Sequence, residues 1–206
     1  MQRTIQWLVY TILSGVLIIA CASTKLTNTH VDKSQVGKPV SNILVIGVTY
    51  KEKEKVRRSF EDRFVAQLRA AGVEAISSGD AISIPEDLML EKDEILKAVN
   101  KFNNDAVIIT HVVVKEDNEL YTPPARSSIG YYSYYGRAYG YSHGPGYSST
   151  KTSYRLATYL YNVKTEKLIW SGKSEILETD SITEMIDDVI HLVIKDLLKN
   201  NLIAQK

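Results

Sequence analysis

Apolar positions along the chain fall into two periods. Residues 43–50, ILVIGVTY, form an almost unbroken β-branched run, the pattern of a central strand buried on both faces. After it, Val56, Phe60, Phe64, Leu68 and Ala71 recur at helical spacing, and Gly72 is a natural helix stop. VEAISS, 73–78, predicts a second strand. A second helix begins after Pro85 and places Ile95, Val99 and Phe102 on one face. DAVIITHVVV, 105–114, predicts a third strand. TSYRLATYLYNV and KLIWSGKSEIL flank the break KTE and predict a hairpin. A last helix carries Ile182, Met185, Ile186, Val189, Val193 and Leu197 on one stripe, opened by the capping-box pair Ser181 and Glu184. The expected fold is α/β (α+β), a single mixed sheet with about three helices in the order β-α-β-α-β-(loop)-β-β-α.

One stretch resists this reading. Ser127 to Ser149, SSIGYYSYYGRAYGYSHGPGYSS, holds seven tyrosines, six serines and five glycines in 23 residues. It sits in an expected insertion at 122–150, between the strand runs 105–121 and 152–163. The doublets Tyr131–Tyr132 and Tyr134–Tyr135 break a period of two, so no strand register puts every ring on one face. Ile129 is its only large aliphatic, which argues against a core of its own. Lengthening a flexible connection from about 4 to about 30 residues costs only roughly 1.8 kcal/mol of closure entropy. A passive hairpin loop is one reading. A contact surface is another, because tyrosine offers large amphipathic area at low rotamer cost while serine and glycine adapt. Its candidate partner-binding residues are Tyr131, Tyr132, Tyr134, Tyr135, Tyr139, Tyr141 and Tyr147. Stacking on nucleic acid is the weakest reading, since only Arg126, Arg137 and Lys151 lie nearby.

The N-terminus speaks of location. MQRTIQWLVYTILSGVLIIACAS has a basic start at Arg3 and an apolar run from Ile5 to Ala20, shorter than the roughly 20 residues of a membrane span. The run ends Ile18-Ile19-Ala20-Cys21, and Cys21 is the chain's only cysteine. This ending resembles the lipobox of bacterial lipoproteins. The resemblance implies cleavage of residues 1–20 and acylation of Cys21, and Ala22 resembles cargo destined for the outer membrane. Residues 21–42 then read as the lipidated cysteine and a polar tether, with a short extended piece at His30–Asp32, and residues 43–203 as the single domain.

The element order and the LYNVKTEKLIWSG hairpin resemble uncharacterised bacterial outer-membrane lipoproteins. More distantly they are similar to the anticodon-binding-like domains of periplasmic proteins: the curli-secretion lipoprotein, a penicillin-binding-protein activator lipoprotein and the N-terminal domain of the Tol propeller protein. The resemblance implies a non-catalytic interaction module, facing the periplasm from the outer membrane. It carries over no site residues.

Composition agrees with an ordinary globular domain, 44% hydrophobic and 24% charged. The net charge of +1 gives no reason to expect nucleic acid. The expected partners are the membrane, through the N-terminal lipid, and an envelope protein, cell-wall glycan or another copy of the chain. No catalytic residue, cofactor or metal is expected. His30, His111, His143 and His191 show no metal spacing, and no nucleophile elbow or phosphate loop occurs. His111 reads as a satisfied strand residue and His191 as partly exposed. Ser78 and Asp80 read as turn formers. KEKEKVRRSFEDR, 51–63, alternates sign at helical spacing and reads as a solvated face. An envelope enzyme acting on peptidoglycan or lipid, and a structural oligomer, are the competing classes.

Overall fold

The computed structural model describes residues 24–49, 53–114, 129–143, 154–176 and 182–204. Among these residues, six strands form one mixed sheet: β1 (Thr24–Val31), β2 (Asn42–Val48), β3 (Glu74–Ser77), β4 (Ala106–Val114), β5 (Tyr154–Asn162) and β6 (Leu168–Ile176). Among the described residues, five helices accompany them: α1 (Glu54–Ala70), the single turn α2 (Ser78–Ala81), α3 (Lys92–Lys101), α4 (Tyr131–His143) and α5 (Ile182–Lys199). The strand order is β1-β6-β5-β4-β2-β3. β2 pairs in parallel with β3 and β4, and the other neighbours are antiparallel.

This order dictates the layers. β3 and β4 lie on opposite sides of β2. Right-handed crossovers therefore send α1 and α3 to opposite faces of the sheet. On the first face, Phe60, Phe64 and Leu68 of α1 and Ile186, Val189, Val193 and Leu197 of α5 pack on Ile43, Val45, Ile108, Leu160 and Trp170. On the second, Ile95, Ala98 and Val99 of α3 join α4 over Leu44, Ile46, Val107, Ile109 and Tyr159. Period-two alternation along β2 and β4 feeds both cores at once. Trp170 lies against Gly172, where an added Cβ would meet its ring at 2.6 Å, and its indole N–H donates to Asp196 of α5 at 2.7 Å. α1 ends as its sequence foretells: Gly72 takes φ +92°, and the Val73 N–H donates to the Leu68 carbonyl.

Three expectations change. The stretch 21–42 is not all tether, because β1 pairs with β6 from Thr24 onward and occupies a sheet edge. Val40 adds a bridge to Ile203. The polar composition of β1 fits an edge strand with one side to water, which is why it lacks a strand-like apolar run. Second, Ser78 and Asp80 belong to a helical turn, with Ser77 accepting from the Asp80 N–H. Third, the tyrosine segment is not a loop over its described part. Tyr131, Tyr134, Tyr135, Ala138 and Ser142 are buried, a helical stripe at i, i+3, i+4, i+7 and i+11. The rings themselves supply the apolar area that aliphatic residues supply elsewhere. The capping serine Ser181 lies outside the described residues.

Tyrosine, serine and glycine are weak helix formers, so α4 depends on this packing. Tyr135→Ala should cost about 3–5 kcal/mol in urea unfolding, the range for truncating a buried aromatic. A Cβ at Gly140 meets nothing within 4 Å. Gly140→Ala should therefore raise stability by roughly 0.5–1 kcal/mol in the same measurement.

Candidate functional site

The sequence-predicted residues separate by burial. Tyr131, Tyr134 and Tyr135 each retain 2% exposure. They are inside the second core and not on a contact surface, because the stripe they form faces the sheet. Tyr132, Tyr139 and Tyr141 are half-buried. Cys21 and Tyr147 lie outside the described residues. His191 is exposed on α5, and His143 is exposed at the end of α4, where its ring stacks on Tyr139 at 4.0 Å.

The buried rings are anchored by their polar ends. The Tyr135 hydroxyl donates to the Leu88 carbonyl at 3.1 Å and accepts the Leu90 N–H at 2.8 Å. The Tyr139 hydroxyl donates to the Asp87 carbonyl. Together they fasten α4 to the chain leading into α3. Burial, above all else, raises the Tyr135 phenol well above its usual range. Tyr134 packs its ring 4.2 Å from that of Tyr159 and shares a 3.0 Å hydrogen bond with His111 Nδ1. His111 is 1% exposed and stacks with Tyr159. Burial first, and then the Lys173 charge, lowers its pKa to about 3, so the imidazole is neutral in the fold. Lys173 faces the same side of the sheet, level with His111 through Ala157. It is itself buried, and that burial, followed by Arg155, lowers its ammonium pKa.

A second cluster lies where β2 and β3 end. Arg57 and Glu61, one helical turn apart, both point inward, with Glu61 at 0% exposure. Glu61 accepts from Arg57 Nη1 at 3.0 Å, the Gly47 N–H at 2.9 Å, the Ser78 hydroxyl at 2.7 Å and the Gly79 N–H at 3.1 Å. Burial pushes its carboxyl up, while Arg57 and the three other donors push the other way. The cluster ties α1 to the ends of two parallel strands, and the Glu61 carboxylate finds all four of its donors within the protein. Gly47 makes room for it: a Cβ there would stand 3.0 Å from Arg57 Cγ.

These two residues correct the reading of 51–63 as wholly solvated. Arg58, by contrast, pairs at the surface with Asp62 and Asp80, and Arg63 with Asp187 of α5 at 2.7 Å. The signal was present: Arg57 and Glu61 each sit next to a member of the apolar stripe, Val56 and Phe60. The outer side of α1 forms a shallow, open groove lined by Glu54, Lys55, Arg58, Ser59, Asp62 and Arg63. Among the described residues, no group of three or more His, Cys, Asp or Glu is placed to hold a metal.

No family model matches the chain. No curated protein matches it either. Solved structures do. The PelC dodecamer from Paraburkholderia phytofirmans aligns with a TM-score of 0.47 and 12% identity, over 88% of this chain and 99% of that one. A single-substitution variant of the same dodecamer gives 0.46 and 12%, over 84% and 97%. Lipoprotein GNA1162 from Neisseria meningitidis gives 0.40 and 15%, over 77% and 99%.

His111 makes stability depend on pH. Unfolded, its imidazole takes up a proton near pH 6.5; folded, it resists protonation down to about pH 3. Between those values the unfolded chain binds more protons, so acid favours unfolding. Below pH 6.5 the fold should lose about 1.4 kcal/mol per pH unit from this group. Urea midpoints of His111→Gln should show a correspondingly shallower slope between pH 6 and 4.

Proposed function

We propose that this chain is a lipid-anchored protein of the bacterial cell envelope, acting as a non-catalytic interaction or scaffolding module, with the outer membrane as its site. The observation that carries the reading is the ending of the apolar run at Ile18-Ile19-Ala20-Cys21, where the only cysteine of the chain stands at the position a lipobox requires. Cleavage before it would also remove Arg3 and leave equal numbers of basic and acidic residues. A bilayer is then engaged through acyl chains, at about 0.8 kcal/mol per buried CH2, with two or more chains needed for stable attachment. No helix among the described residues is long and apolar enough to cross a membrane.

The interaction role draws on the character of the two clusters. The buried tyrosines and the Arg57–Glu61 pair serve packing, and the hydroxyls of Tyr134 and Tyr135 and the Glu61 carboxylate are bonded to other parts of the protein. What the tyrosine segment leaves for a partner, among its described residues, is the two half-exposed flanks of the buried stripe on α4, Tyr132 and Tyr139 on one and Tyr141 on the other. An envelope protein, glycan strand or second copy would meet aromatic edges there, which suit contacts needing both apolar area and hydrogen bonds.

Growth with a fatty-acid analogue tests the anchor. Wild type should incorporate the label and Cys21→Ser should not. Label retained by the variant, or absent from wild type, would remove the lipoprotein reading.

A further inference from the structure

The start of β1 bears on how such an anchored domain sits on its membrane. Thr24 is the first residue of the sheet and is firmly held there. It is 3% exposed, it pairs with Ile176 of β6, and its hydroxyl reaches Asp188 of α5 at 3.4 Å. Only two residues, Ala22 and Ser23, separate it from Cys21. Three residue steps span at most about 11 Å even when fully extended. A cysteine acylated at the bilayer surface would thus hold one corner of the sheet within about 11 Å of the headgroups.

The sheet is large compared with that link. β1 and β3 are its two edges, five strand spacings apart, or roughly 24 Å. Along the strands, Thr24 is level with the end of β6, while Glu74 opens β3 at the other end, about 30 Å away. Helices also cover both faces: α1 and α5 on one, α3 and α4 on the other. Lying flat on a helical layer would lift the sheet by about the 10–12 Å thickness of a helix, which uses up the whole link. Charge does not select another pose. The described groups beside the Thr24 corner are mixed, with exposed Lys25 next to the Arg155–Glu175 pair.

We infer that the domain is held corner-down: the edge strand β1 at its Thr24 end is apposed to the bilayer, and the diagonal corner, where β3 begins at Glu74, points away from it. This rests on the anchor proposed above. It makes the β3 edge and the C-terminal turn of α1 the surfaces offered to a soluble partner, and the Thr24 end of β1 the part shielded by lipid.

The test uses the full-length chain, purified from membranes and reconstituted in phosphatidylethanolamine–phosphatidylglycerol vesicles. Lys25→Cys and Glu74→Cys, both at exposed positions, are each labelled with a thiol-reactive fluorophore. Nitroxide-labelled lipids then serve as quencher. Intact mass first establishes whether Cys21 carries lipid. On lipidated protein, quenching at position 25 should exceed that at position 74 several-fold. Equal or reversed quenching on lipidated protein overturns the orientation and leaves the anchor standing. A mass without lipid overturns both. Circular dichroism of the two variants, matched to wild type, ensures that the labels report on the folded domain.

Discussion

A strand that is apolar on both sides has to be covered on both sides. β2 meets this constraint in its severest form: Ile43, Leu44, Val45 and Ile46 are fully buried, and its neighbour β4 repeats the pattern with Val107, Ile108 and Ile109. Two helical layers follow from it. α1 and α5 supply the first with aliphatic and phenylalanine side chains. The second draws its aliphatic cover from α3 and from Ile82 and Leu90 of the segment before it, which cover part of the face. The remaining cover is α4, made almost entirely of tyrosine, serine and glycine.

Using tyrosine as a core residue places demands on its hydroxyls, since a buried O–H without a partner costs of the order of 1–3 kcal/mol. Two rings of α4 meet the demand in different ways. Tyr135 bonds two backbone groups of the segment before α3, and Tyr134 meets His111 across the sheet surface. These hydroxyls therefore do more than avoid a penalty. They fix where α4 sits along the strands, which a purely apolar helix, free to slide, would specify less well.

The same logic of buried polarity recurs at the ends of β2 and β3. Arg57 and Glu61 are placed inside by the helical repeat that places Phe60 and Phe64 inside, and the pair is tolerable because Gly47, Ser78 and Gly79 complete the shell around the carboxylate. This end of the sheet is also where β1 begins, so the most constrained polar packing of the domain lies towards the end on which the proposed anchor would pull.

The sequence by itself determined the central strands, the hairpin, and helices α1, α3 and α5, because there the hydrophobic period and the final burial coincide. The apolar run ending at Cys21 was likewise legible, being a matter of chemistry local to a few residues. Only the tertiary structure decided the rest. β1 is polar because one edge faces water, so its pairing with β6 leaves little trace in its composition. Arg57 and Glu61 look solvated in isolation, and become interior groups when Gly47 lets α1 approach β2. The tyrosine segment has a helical repeat at Tyr131, Tyr134, Tyr135 and Ala138, yet no propensity that favours a helix. It is an interior helix because an uncovered sheet face is waiting for it, and burial of large aromatic area outweighs the weak local preference of the chain.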